Sequence, residues 1–266
     1  MTGLVNIHTP LINRSQWTSD IKKNAFLSSS ALKLIALIAM LIDHIAAICL
    51  PVNSEVYLVM RLIGRVSFPI YAFLIAEGYL YTSNKGKYLS NLMLFALISE
   101  IPYNLAFSGT ILSIEKQNIF FELATGLFGI YVYEKVTQNR NKLIALICVF
   151  VLAMIAEVAK FDYGALGIII ILVFYLFRSS CELKLAVFVI ASIVYYCYSF
   201  GLSQLNFLNA AIILLSNLNI YMILGAFPIA YYNGKKGTLK MNKYLFYAFY
   251  PVHILVLYLI SFLFVT

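Results

Sequence analysis

Apolar residues run along this chain in blocks of about 20 separated by short polar joints, which is the length an α-helix needs to cross the hydrocarbon core of a bilayer. The blocks predict helices over 31–50, 56–81, 87–107, 118–135, 142–159, 163–178, 183–200, 217–232 and 244–265. That makes about nine spans. Residues 203–216, SQLNFLNAAIILLS, are apolar but short, and read as a re-entrant piece, the first half of a broken span or a tenth helix. Inside the second block Pro69 predicts a kink, because proline lacks the N–H of the helical ladder and its ring presses on the preceding turn.

Composition agrees with the pattern. A chain of 266 residues that is 62% apolar and 11% charged, with a mean hydropathy of +0.89, lies outside the soluble globular range. The predicted fold class is all-α, a polytopic integral membrane helical bundle. Residues 1–30 form a polar leader, cytoplasmic or interfacial, and residues 31–266 one membrane domain. The leader carries no cleavage site behind an apolar core, so the chain is expected to insert through its own helices. The net charge of +8 falls in the joints: Arg14, Lys22, Lys23, Lys85, Lys87, Lys135, Arg140, Lys142, Arg178, Lys184, Lys235, Lys236, Lys240 and Lys243 on one side, Lys116 and Lys160 on the other. The positive-inside rule turns that bias into an N-in, C-out topology with an odd number of spans. No basic cluster is dense enough for nucleic acid, and the bilayer is the expected partner. Cys49, Cys148, Cys181 and Cys197 lack metal-ligand spacing and read as packing residues. No metal is indicated.

Against this background the ionisable residues inside the spans stand out, since each costs about 2.5–3.5 kcal/mol at bilayer depth and persists where it faces a protein interior. Asp43, His44, Arg61, Arg65, Glu100 and Asn104 fall in the outer half of their helices, and Asn118, Glu122, Glu157 and Asp162 at the outer ends of theirs. Arg61 and Arg65 are four apart, share a helix face, and can grip one anionic partner or two carboxylates. Asp43 and His44 point about 100° apart, so Asp43 is expected to pair with an arginine and Glu100 to hold His44. Lys33 precedes His44 by eleven residues. Three helical turns put the two on one face about 16 Å apart in depth. Glu77 joins the arginine face only if Pro69 kinks the helix. Tyr103 beside Pro102, Asn104 and Asn118 either line the site or satisfy broken backbone. His253, after Pro251, either reaches the site or bonds across helices.

The series LIDHI, RLIGRVSFPIYAFLIAEG, KYLSNLMLFALISEIPYNLAF, NIFFELATGLFGIY, DYGALGIIIILVFYLFR and KYLFYAFYPVHILVLYL resembles the TraX family of bacterial membrane proteins, associated with N-terminal acetylation of conjugative pilin. Asn118, Asp162, Tyr163, Gly164, Pro251 and His253 fall at family-like positions, whereas Glu122 departs from the expected pattern. TraX is similar in turn to a wider group of transmembrane acyltransferases. The resemblance implies acetyl transfer from cytoplasmic acetyl-CoA to an acceptor across the bacterial inner membrane, a pilin or other peptide N-terminus, a lipoprotein amine or a glycan hydroxyl. It puts a membrane histidine at the centre of that chemistry. The basic-residue, ten-residue, histidine spacing of Lys33 and His44 also resembles a motif of the polysaccharide O-acetylating branch. On this reading His44 is the general base with Asp43 or Glu100 as its electrostatic partner, and Arg61, Arg65 and Asn104 are candidate donors to the oxyanion. Lys33 and Glu77 line the donor channel, and Tyr103, Asn118 and His253 complete the binding residues. Two other readings use the same residues: a proton-coupled secondary transporter, and an assembly factor that holds a peptide in the membrane without chemistry.

Overall fold

The computed structural model describes residues 25–52, 54–138, 141–199, 217–238 and 243–264. The described residues form helices joined by turns and short irregular segments, and two isolated parallel bridges, Leu27 to Tyr232 and Gln117 to Phe161, are the only extended pairing among them. In chain order the helices are α1 (Ser29–Cys49), α2 (Glu55–Gly64), α3 (Ser67–Tyr81), α4 (Lys85–Ser108), α5 (Ile119–Gln138), α6 (Lys142–Val158), α7 (Gly164–Leu176), α8 (Cys181–Ser199), a 3-10 helix (Leu218–Gly225), α9 (Ala226–Ala230) and α10 (Lys243–Phe264). Side chains define the helix starts: Ser28, Ser54, Asn84 and Asn141 each accept a backbone N–H of the first turn, which satisfies a donor that the helix itself leaves open.

Two expected helices are broken, each by a proline. The run 56–81 is α2 and α3, parted at Arg65 and Val66. Pro69 withholds the N–H that the Arg65 carbonyl would accept, and its ring crowds that carbonyl. The run 217–232 is likewise a 3-10 helix followed by the five residues of α9, because Pro228 acts in the same way on the carbonyl of Leu224. The two breaks touch. A Cβ on Gly225 would overlap the Pro69 ring, so glycine is what lets the 3-10 helix lie against α3. Residues 1–24 and 203–216 lie outside the described residues.

Four helical segments are long and apolar enough to cross a membrane: Ser29–Cys49, Glu55–Tyr81, Cys181–Ser199 and Tyr244–Phe264. α6, at 17 residues, and α7, at 13, are shorter than a full span. α7 is nevertheless the axis of the bundle, since α3, α5, α6 and α8 all pack on it and its residues from Ile170 to Tyr175 are all buried. α1 packs on α2, α3 and α10, and α10 on α4. Leu143, Ile147, Phe150 and Val151 of α6 and Val252, Leu259 and Phe262 of α10 are exposed. That apolar exterior suits a lipid environment, in which helices satisfy their own backbone.

The ends of the bundle differ. At the basic end the chain entering α1 is laced to the segment after α9: Leu27 N–H donates to Tyr231 O at 3.0 Å, Ser29 N–H to Lys235 O at 2.8 Å, and Ser30 Oγ to Lys236 O at 2.5 Å. Lys85, at the start of α4, meets Glu134 of α5 at 2.7 Å there. At the opposite end Gln117 N–H donates to Lys160 O at 3.0 Å, and Lys116 Nζ lies 2.6 Å from Asp162 Oδ1. Lys85, Lys235 and Lys236, three of the basic residues that the sequence puts in alternate joints, thus lie at one end.

Candidate functional site

A cavity of about 820 Å³ runs between α1, α3, α4, α5 and α10 and joins the basic end to the buried polar layer. Its mouth is formed by Ser29, Lys33, Asn84, Lys87, Gly234 and Lys236. Tyr71, Glu77, Tyr88, Tyr232 and Tyr247 line its length. Asp43, His44, Arg65, Phe68, Asp162 and Tyr163 close the far end. Among the described residues, Lys33, Asp43, His44, Arg65 and Glu77 of the expected site border this cavity, whereas Arg61, Glu100, Tyr103, Asn104, Asn118 and His253 stand behind its wall.

Asp43 organises the arginines. Its carboxylate lies 2.5 Å from Arg61 Nη1 and 2.7 Å from Arg65 Nη2, so the expected arginine pairing is present. Both guanidinium groups meet on this one carboxylate, and the Nε–H of each makes no hydrogen bond to the described residues. Arg65, at the break between α2 and α3, also donates to Asn219 Oδ1 at 2.9 Å and approaches the Tyr163 hydroxyl at 3.5 Å. Tyr163 stacks on Phe68, ring centroids 3.8 Å apart and planes 11° from parallel. Gly64 makes the close approach possible, because a Cβ there would overlap the Asp43 carboxylate.

His44 is held by a second histidine, not by an acid. Its Nδ1 lies 2.6 Å from His253 Nε2, and His253 Nδ1 lies 2.6 Å from the carbonyl of Phe249. Phe107 and Tyr250 meet the His44 ring edge-on at 5.8 Å. The expectation that Glu100 holds His44 is corrected: Glu100 accepts from Asn118 Nδ2 at 2.5 Å and from Asn104 Nδ2 at 3.3 Å. One more donor bond from Asn118, 2.9 Å to Ala96 O, and one accepted from Phe120 N–H fix the start of α5 against α4. Asn104 is buried and donates toward Ile111 O at 3.5 Å, which ties the joint after α4 back to that helix. Tyr103 is buried and tilted against Phe107. Asn104, Asn118 and Tyr103 thus pack within the helix layer beside the cavity and are not among the residues that line it.

Toward the basic end Glu77 accepts from the Tyr232 hydroxyl at 3.2 Å, and the Lys33 ammonium lies 5.5 Å from the centre of the Phe246 ring. Lys184, counted in the sequence as an ordinary basic flank, is buried at 3% exposure with its ammonium 4.9 Å over the Phe73 ring. Glu122, the departure from the expected pattern, is fully buried and accepts the Tyr163 N–H at 2.9 Å. It tethers the start of α7, where Gly164 adopts φ +56. Asn219 and Tyr232 escaped notice because they fall at the two ends of the predicted span 217–232, where a polar side chain reads as an ordinary helix terminus.

Fold and site together define a polytopic helical membrane protein with ionisable residues gathered at the end of an internal cavity. The chain belongs to the TraX protein family, whose model matches residues 28–261. It is 27% identical over 248 residues to a probable fimbrial assembly protein, FimC of serogroup H1, from Dichelobacter nodosus, covering 89% of this chain and 97% of the relative. It is 29% identical over 201 residues to an uncharacterized protein of Rickettsia prowazekii (strain Madrid E), covering 73% of this chain and 76% of the relative. No solved structure matches the chain.

Proposed function

We propose that this protein is a membrane-embedded acetyltransferase of the bacterial inner membrane, with nine spans, N-in and C-out, carrying an acetyl group from cytoplasmic acetyl-CoA to an amine or hydroxyl on the far side. A peptide or pilin N-terminus is the favoured acceptor. The observation that carries the reading is the cavity itself, which joins a mouth holding Lys33, Lys87 and Lys236 to an end holding His44 and Arg65. Its volume of about 820 Å³ lies in the range of small-molecule and cofactor sites. A long anionic donor suits that shape: phosphates at the lysines, thioester at the histidine.

In this reaction the acceptor nitrogen or oxygen attacks the thioester carbonyl carbon while His44 takes the proton it loses. Arg65, held by Asp43, faces the oxygen that becomes negative in the tetrahedral intermediate. The intermediate collapses with breakage of the carbon–sulfur bond, and His44 returns the proton to the departing thiolate. No metal is required, and the imidazole ends as it began.

The test is release of free thiol from acetyl-CoA by the purified protein with a membrane extract as acceptor pool. The parent should release thiol and acetylate an acceptor, and His44→Ala should fall by about 10²-fold or more in protein that still melts cooperatively above the assay temperature. A second reading, a non-catalytic assembly factor, draws on the printed name of the Dichelobacter nodosus relative. It requires His44→Ala to retain full biological activity and the parent to release no thiol.

A further inference from the structure

The two imidazoles beyond the cavity form a chain of hydrogen bonds whose direction is fixed at its far end. The Phe249 carbonyl can only accept, so His253 Nδ1, 2.6 Å away, carries a proton. With both rings neutral, His253 Nε2 is then the bare nitrogen. His44 Nδ1, 2.6 Å from it, must donate. The lone pair of His44 is therefore on Nε2, and of the two histidines only His44 lines the cavity among the described residues. Neither ring is free to turn. The two rings are 12° from parallel with centroids 4.9 Å apart, and Phe249 stacks on His253 at 4.6 Å. Phe107 and Tyr250 bracket His44.

We propose that His253 is a positioning residue for acyl transfer: it holds His44 in the Nδ1–H tautomer and so presents Nε2 to the cavity as the base. The catalytic half of this proposal rests on the acetyltransferase reading, whereas the tautomer half does not. A carboxylate commonly orients a catalytic imidazole, and here Asp43 and Glu100 are both engaged elsewhere. An imidazole does the same work without adding a second charge. When His44 takes the acceptor's proton, its Nδ1–H bond to His253 Nε2 persists, and the positive charge is spread over two rings.

The experiment compares His253→Gln and His253→Leu with the parent, using acetyl-CoA turnover and the nitrogen NMR of histidine-labelled protein, which contains three histidines, His8, His44 and His253. A glutamine amide can accept from His44 and donate to the Phe249 carbonyl, so His253→Gln should keep kcat within about fivefold of the parent. Leucine can do neither, and kcat should fall on the order of 10²-fold with KM for acetyl-CoA within about threefold, because His253 is outside the cavity. The spectrum should show a bare Nε2 on His44 in the parent and the glutamine variant, and mixed tautomers in the leucine variant. A bare Nδ1 on His44 in the parent overturns the proposal, as does a leucine variant that turns over like the parent. Where the parent transfers no acetyl group, the NMR result still decides the tautomer, and failure of the activity reading is told apart from failure of this one.

Discussion

Replacing Asp43 by asparagine keeps the side chain's size and removes one negative charge from between two guanidinium groups. Asp43 and Arg65 are 6% and 8% exposed, and the contacts are 2.5 Å to Arg61 and 2.7 Å to Arg65. Removing one partner of a buried ion pair costs about 3–5 kcal/mol because the other charge is left without compensation. Asn219 and Tyr163 soften the loss at Arg65 but are neutral. For a chain of this size about 1 kcal/mol moves the thermal midpoint by roughly 2–4 °C. Asp43→Asn should therefore melt about 6–20 °C below the parent in detergent. Gly64→Ala should move the midpoint in the same direction by pressing a methyl group on the same carboxylate, at a cost of about 1–3 kcal/mol. Glu55→Gln, on the exposed start of α2, should stay within about 0.5 kcal/mol. A midpoint for Asp43→Asn within about 2 °C of the parent would refute the reasoning, since the pair would then be worth no more than one in water.

Two further outcomes follow from the joint before α7. Glu122→Ala leaves the Tyr163 N–H without its acceptor and opens a void against Gly167. It should cost about 2–4 kcal/mol in the same melting assay, and a midpoint equal to the parent's would dismiss the tether. Asp162 lies in the connection outside the helices, where burial pushes its carboxyl up but Lys116, then Arg65 and Arg61, hold it below its ordinary value of 3.8. A depressed acid stabilises the fold above its unfolded pKa, and that contribution disappears as pH falls through the lower folded value. Lys116→Met should thus shift the acid-side loss of thermal stability to higher pH, and superimposable acid limbs would contradict the assignment.

The fold was legible in the sequence wherever a helix faces lipid, because there the apolar run and the span coincide, as in α1, α8 and α10. Where proline cuts a helix it was legible in part: the kink at Pro69 could be read from the residue itself, whereas the run through Pro228 stays apolar across a break that backbone geometry imposes. The polar layer could be read from depth, and Asp43 with Arg61 and Arg65 from helical phase, since all three sit on sequence-adjacent helices. The partner of His44 could not. His44 and His253 are 209 residues apart, and their meeting depends on how α10 seats against α1. Glu100 was the nearer acid in depth, but the face of α4 that carries it turns to Asn118. Lys184 illustrates a different limit: loop counting assigns a lysine to a side of the membrane and says nothing of whether its ammonium is buried over the Phe73 ring.

The most direct test of the central claim reconstitutes the protein in vesicles, supplies labelled acetyl-CoA only on the side that Lys236 faces, and supplies a membrane-impermeant peptide amine only on the other. Labelled acetyl should appear on that peptide, in proportion to protein, and vanish with His44→Ala. Label that never crosses, or crosses equally well with the alanine variant, would contradict a cavity that delivers an acyl group from the basic end to His44.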